Sequence, residues 1–299
     1  METVSHVYSS LNLFAMNQKH PKWLLPNLLS LDAPIVAVVW AWMFAQSWRV
    51  QWVNANIYLL LPGVVWIIYC LDRYLDNKVS ENKRGEHSAR HAFHQRHWWW
   101  FRIGIYIVAG FCAATLLQLP LSIFFHAIPI LILVCVYFFT AVFSEHRQGQ
   151  PQLFKNAIAG FTFSYGTAMG VFFFRPSSYW LELVLTQQNL LFALLCTCNI
   201  TAIDLWEASR ATAEREGKKY YELSLTIPLF ILVTLSFLLA VRADDYSRPF
   251  YFAIMIAGGL LQVINHYRSR FSLNTLRAFA DLALLVPAPI FWLYLQALS

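Results

Sequence analysis

Two short acidic pairs carry most of the chemistry open to this chain. Asp72 and Asp76 stand four residues apart in LDRYLDNK, and Asp204 and Glu207 stand three apart in NITAIDLWEASR. On a helix, either spacing puts both carboxylates on one face, about one turn apart. Like charges so placed repel by about 0.2–0.5 kcal/mol, and a carboxylate at a membrane boundary is costly in its own right. A divalent cation offsets both. Mg²⁺ suits the pattern, because it takes one or two carboxylates plus phosphate oxygens and keeps several waters. Arg73 follows Asp72 and has the planar fork that grips phosphate oxygens bidentately. Asn199 lies a little deeper in the apolar run than Asp204, and Arg210, Arg215, Lys218 and Lys219 follow Glu207. Two acidic helix ends among bases suit a diphosphate bridged to protein through metal ions. The plainer alternatives are a solvated helix end, with Asp76 paired to Arg73 or Lys78, and an amphipathic helix, with Glu207 paired to Arg210.

The elements that must position these groups follow from composition. Only 13% of the 299 residues are charged, while 58% are hydrophobic and 17% aromatic. A soluble domain carries about 25% charge. Disordered chains, disulfide scaffolds and ordinary soluble enzymes are thereby excluded, and a net charge of +6 gives no reason to expect nucleic acid. Apolar stretches fall at about 25–48, 55–71, 99–118, 120–143, 154–174, 181–203, 223–241, 249–266 and 276–298. Each is long enough for a spanning helix, and runs this long and unbroken exclude strands. The expected fold is all-α, nine transmembrane helices in a single domain over 1–299, with its tightest junction at Pro120. Residues 1–20 carry polar residues throughout, so no cleavable signal peptide is expected. Cys70, Cys112, Cys135, Cys196 and Cys198 show neither zinc nor disulfide spacing and are expected to be small buried apolar residues.

Nine spans sort the connections onto two faces. Of the 22 Lys and Arg, 18 fall on the face of the N-terminus, and only Arg49, Arg175, Arg242 and Arg248 fall on the other. By the positive-inside rule the first face is cytoplasmic, which puts the C-terminus outside. Both acidic pairs end even-numbered spans on that cytoplasmic side.

With nine spans, DRxxD ending the second and a further acidic motif after the sixth, the chain resembles the UbiA superfamily of intramembrane prenyltransferases. Asp72, Arg73 and Asp76 match the latter part of that family's first motif, while Ile68 and Tyr69 stand where it has Asn-Asp. Asp204 matches the second motif; four residues on is Ala208, and Glu207 is the nearest acid. Leu31, Asp32, Ala33 and Pro34 are similar to the family's entry into its first span. His146, Arg147, Pro151 and Lys155 are similar to its connection between spans four and five. The resemblance implies Mg²⁺-dependent transfer of an isoprenyl group from an isoprenyl diphosphate to a lipophilic acceptor, in a bacterial inner membrane. Asp72, Asp76, Asp204 and Glu207 would hold the metal. Arg73, Arg147, Lys155, Asn199 and Lys218 would bind substrate. A terpene cyclase on the same fold, or a non-catalytic membrane subunit or lipid carrier with degenerate motifs, are the alternatives.

Other residues divide between packing and chemistry. Trp40, Trp42, Trp66, Tyr69, Tyr137, Phe161, Phe163, Tyr165 and Trp206 could line a cavity that shelters an allylic cation, since ring faces attract cations; lipid-facing packing is the competing role. Trp98, Trp99 and Trp100 read as interfacial anchors. Gly160, Gly166 and Gly170 allow close helix approach or room for an isoprenyl tail. Asp281 can pair with Arg277 four residues earlier or face the cavity. His87, His91, His94 and His97 share a helical face, too few for a di-iron centre. They suit a basic helix on anionic headgroups or a lid over the diphosphate.

Overall fold

A computed structural model describes residues 25–81, 93–94, 96–143, 152–175, 179–211 and 215–298, without the side chains of 76–81, 141–143, 180, 211 and 215–219. The described residues contain helices and no strand. After a short turn at Leu25–Leu28 come α1 (Asp32–Ser47), α2 (Ala55–Glu81), α3 (Trp98–Leu116), α4 (Ser122–Phe143) and α5 (Leu153–Phe172). A short helix at Trp180–Leu185 leads to α6 (Gln187–Ala211), α7 (Arg215–Arg242), α8 (Arg248–His266), α9 (Leu273–Leu285) and α10 (Pro287–Gln296). Proline at the start of α10, where no backbone N–H is needed, breaks the last run without ending it.

Seven helical stretches among the described residues are long and apolar enough to cross a membrane: those in α2, α3, α4, α6, α7 and α8, and α9 with α10 taken together. This is the make-up of a polytopic helical membrane protein. The nine expected spans are not all of that kind. Helix α1 has only 16 residues, about 24 Å of rise against a hydrocarbon core of about 30 Å. Helix α5 is long enough but carries Asn156, Ser164, Tyr165 and Thr167, all buried. Both are enclosed by other helices, α1 packing on α2, α5, α8 and α9, and α5 on α1, α4 and α6. A helix that meets protein instead of lipid can be short or polar.

The core explains the enclosure. Trp40 stacks on Phe192 at 4.3 Å between ring centroids, and Phe250 meets Trp40 and Phe44 edge-on or tilted. The Trp40 indole N–H donates to the Leu284 carbonyl at 2.9 Å, and that of Trp206 to Asn265 at 3.0 Å. Buried Trp needs such partners, so these two rings belong to the core. Helix α4 lies at the other extreme, with Phe125, Leu131 and Phe139 exposed along it. Trp99 and Trp100 are exposed at the start of α3, whereas Trp98 stacks on Tyr74 of α2 with ring centroids 4.2 Å apart. Cys70, Cys112, Cys196 and Cys198 are buried, whereas Cys135 is exposed on α4, and all five are free.

Two of the three α5 glycines mark close approaches. A Cβ on Gly160 would sit 2.6 Å from the Thr197 backbone nitrogen of α6, and one on Gly170 would sit 2.6 Å from Ile57 of α2. Gly166 has open space at that place.

Candidate functional site

Polar side chains from six elements converge on one end of the bundle. In the second half of α2, Asp72 is 9% exposed and accepts a 2.5 Å hydrogen bond from the Tyr137 hydroxyl of α4. That length is typical of a hydroxyl bound to a carboxylate. Arg73 lies 3.7 Å from the same carboxylate. In the first turn of α5, the Lys155 ammonium sits 5.7 Å from the Tyr137 ring centroid, within cation–π range. Its neighbour Asn156 is buried and donates to Asp204 of α6 at 2.7 Å. One turn of helix thus connects the two acidic pairs: Lys155 touches the partner of the first, and Asn156 holds the second.

The ring continues through α9 and α1. Glu207 accepts from Arg277, and the Asn199 amide donates to the Ala280 carbonyl at 3.1 Å, a strut from α6 to α9. Asn27, just before α1, donates to Asp32 at 2.7 Å and to Asp281 of α9 at 3.3 Å. Ser30, in a left-handed backbone conformation (φ 55°), turns the chain into α1 beneath His94. The His94 Nε2 lies 3.0 Å from the Leu28 carbonyl oxygen and 3.3 Å from the Ser30 hydroxyl, with the ring stacked on Phe101. His94 therefore faces protein, not headgroups; His87 and His91 lie outside the described residues.

The expected site residues are only partly joined. Asp72 and Arg73 share one neighbourhood with Lys155. Asp204 and Glu207 turn to different neighbours, α5 and α9. Asn199 serves as the strut just described. Arg147 lies outside the described residues, as do the side chains of Asp76 and Lys218. Among the described residues, no three His, Cys, Asp or Glu side chains gather closely enough to hold a metal ion by themselves. The donor set still suits Mg²⁺ completed by substrate, which needs only one or two carboxylates when phosphates and water fill the remaining places. Asp72 and Asp204 each have a hydrogen-bond donor to orient them, as ligating carboxylates generally do.

Sequence reasoning missed Asn27 and Asn156, and saw Tyr137 and Arg277 only in other roles, as a cavity ring and as a partner of Asp281. Asn156 had a signal, an amide one residue after Lys155 at the head of an apolar run. Tyr137, one aromatic among many, had none. No protein family, curated protein or solved structure matches the chain.

Proposed function

We propose that the chain is a UbiA-type prenyltransferase, transferring an isoprenyl group from an isoprenyl diphosphate to a lipophilic acceptor in a bacterial inner membrane. On this reading α1 and α5 also cross the bilayer, giving nine spans with the polar end cytoplasmic and the C-terminus outside. The observation that carries it is the first turn of α5, where Lys155 lies over the Tyr137 ring whose hydroxyl binds Asp72 of α2, and Asn156 binds Asp204 of α6.

Asp72, Asp76, Asp204 and Glu207 would hold Mg²⁺. When bound, the ion neutralises charge developing on the leaving diphosphate. The protein's own groups do the rest. Arg73 and Lys155 hold phosphate oxygens, with Arg147 and Lys218 as further bases. Tyr137 fixes the Asp72 carboxylate, and Asn156 fixes that of Asp204. The apolar bundle keeps water from the allylic carbon as its bond to oxygen loosens. Purified protein given Mg²⁺, labelled isoprenyl diphosphates of several lengths and lipophilic acceptors is expected to release diphosphate and form prenylated product. Activity unchanged in both Asp72→Ala and Asp204→Ala would sink the assignment.

A non-catalytic lipid carrier is favoured by one observation: the Glu207 carboxylate is already engaged by Arg277. Thermal stabilisation separates the two, because the transferase reading requires that isoprenyl diphosphates stabilise the protein only with Mg²⁺ present.

A further inference from the structure

Among the described residues, Arg277 is the most enclosed cation at the polar end. Its side chain is 5% exposed, and its one ion-pair partner among the described residues is Glu207, whose side chain is 43% exposed. The contact uses a single η nitrogen. The Nε and the other η nitrogen, Nη1, are buried with no hydrogen-bond partner among the described residues. A guanidinium has five N–H donors and no acceptor, so Nε and Nη1 leave three donors unused. Buried donors without acceptors are rare and costly, and a cation multiplies the cost. The position is not closed off, because the half-exposed Glu207 side chain forms its outer wall and exposed side chains change rotamer in nanoseconds.

A water molecule has its own hydrogens to place and offers no charge. An oxyanion offers two or three acceptor oxygens and the counter-charge, and Arg matches the planar spacing of phosphate and carboxylate oxygens. We propose that Arg277 is a binding residue for a ligand oxyanion, phosphate or carboxylate, and that Glu207 stands in for it until the ligand arrives. Neither acidic motif predicts such a role on α9. Joined to the transferase reading, on which it rests only for the ligand's identity, the oxyanion is the donor's diphosphate or an acid group on the acceptor. Displacing Glu207 would also release that carboxylate toward the neighbouring acidic site.

The test uses the full chain in detergent at pH 7 with EDTA, so that metal held by carboxylates contributes nothing. Inorganic diphosphate and benzoate are titrated separately, with the thermal midpoint followed. At least one is expected to stabilise the wild type in a dose-dependent way; the responding one identifies the source of the oxyanion. Arg277→Gln should raise the apparent Kd at least tenfold. Glu207→Gln should lower it, a tightening that misfolding cannot produce, so this arm decides even if Arg277→Gln fails to fold. Stabilisation by neither anion, Arg277→Gln binding as tightly as wild type, or Glu207→Gln failing to tighten would each overturn the proposal. Because no isoprenyl chain or metal is present, that failure leaves the transfer assay unaffected, and a failed transfer assay leaves this binding result standing.

Discussion

The two ends of the bundle treat charge in opposite ways. At the end holding Arg49, Arg175 and Arg248, charges are shed to the surface. Arg49 reaches Asp244 at 3.7 Å with both side chains more than half exposed, and Arg248 reaches Asp245 at 2.9 Å, three residues apart in sequence. Asp244 also accepts from the backbone N–H groups of Tyr246 and Ser247, each at 2.9 Å. The Ser247 N–H, foremost, holds its carboxyl below the ordinary aspartate value, with Tyr246 and Arg49 assisting. These contacts close a turn, and exposed pairs of this kind contribute about 0–1 kcal/mol. At the other end the contacts join helices distant in sequence. Asp72 and Tyr137 are 65 residues apart, Asn156 and Asp204 are 48, and Glu207 and Arg277 are 70. Placing carboxylates there is costly, and a turn does not require it. Polar groups are collected from six elements at this end and several are buried, Asp72 and Asn156 among them, whereas the ion pairs of the far end lie in the open.

Substitutions can break that contrast. On the transferase reading, Asp72→Asn is expected to cut the rate about 100-fold, the scale of losing a metal-site partner, while Asp245→Asn leaves it unchanged; equal effects at the two ends would abolish the distinction. On the same reading, Tyr137→Phe removes the donor to Asp72 and should weaken Mg²⁺ affinity by about 10–100-fold, read as a rise in the Mg²⁺ concentration for half-maximal activity. Gly160→Ala places a methyl against the Thr197 backbone and should destabilise by about 1–3 kcal/mol. Gly166→Ala, with open space and less backbone freedom to lose, should stabilise by about 0.5–1 kcal/mol; thermal midpoints in detergent compare the two. The smallest effect belongs to the far end. A depressed Asp244 carboxyl adds stability that is present above its unfolded value and is lost as pH falls through the folded one. Thermal midpoints measured from pH 6 down to pH 3 should therefore fall less in Asp244→Asn than in wild type.

The sequence disclosed helices where lipid dictates composition and lost definition where protein replaces lipid. Six of the seven long apolar stretches begin and end close to the expected runs, because hydrocarbon demands an unbroken apolar surface. Helix α6 begins at Gln187 and continues to Ala211, past the expected end, because Asp204 and Glu207 have protein partners there. Helices α1 and α5 were legible as elements but do not meet the length and composition of a free-standing span, since neighbouring helices enclose them and take up polar groups such as Asn156 and Ser164. Asp72, Asp204 and Arg73 were legible because a charge beside an apolar run is conspicuous. Asn156 and Tyr137 were not, since an amide or a phenol gains meaning only from what a distant helix sets against it. Arg277 was visible, but its partner was misjudged: helical spacing pointed to Asp281, and packing of α9 on α6 brought Glu207.

The Gly160 contact has a mechanical consequence. Where Gly160 of α5 lies against the Thr197 backbone and hydroxyl of α6, no further side chain has room to enter, so the two helices hold a fixed spacing that keeps Asn156 and Asp204 in register. Helix α4 is the opposite case: it packs on α5 and α2, but only 6% of its apolar stretch is buried by protein, and at the site end the Tyr137 hydroxyl ties it to Asp72. Elements with few protein contacts open at the lowest free energy, so α4 is expected to loosen before α5, with the Tyr137–Asp72 hydrogen bond opposing it. Amide exchange is expected to be faster along 122–143 than along 153–172; equal protection of the two would rule this out.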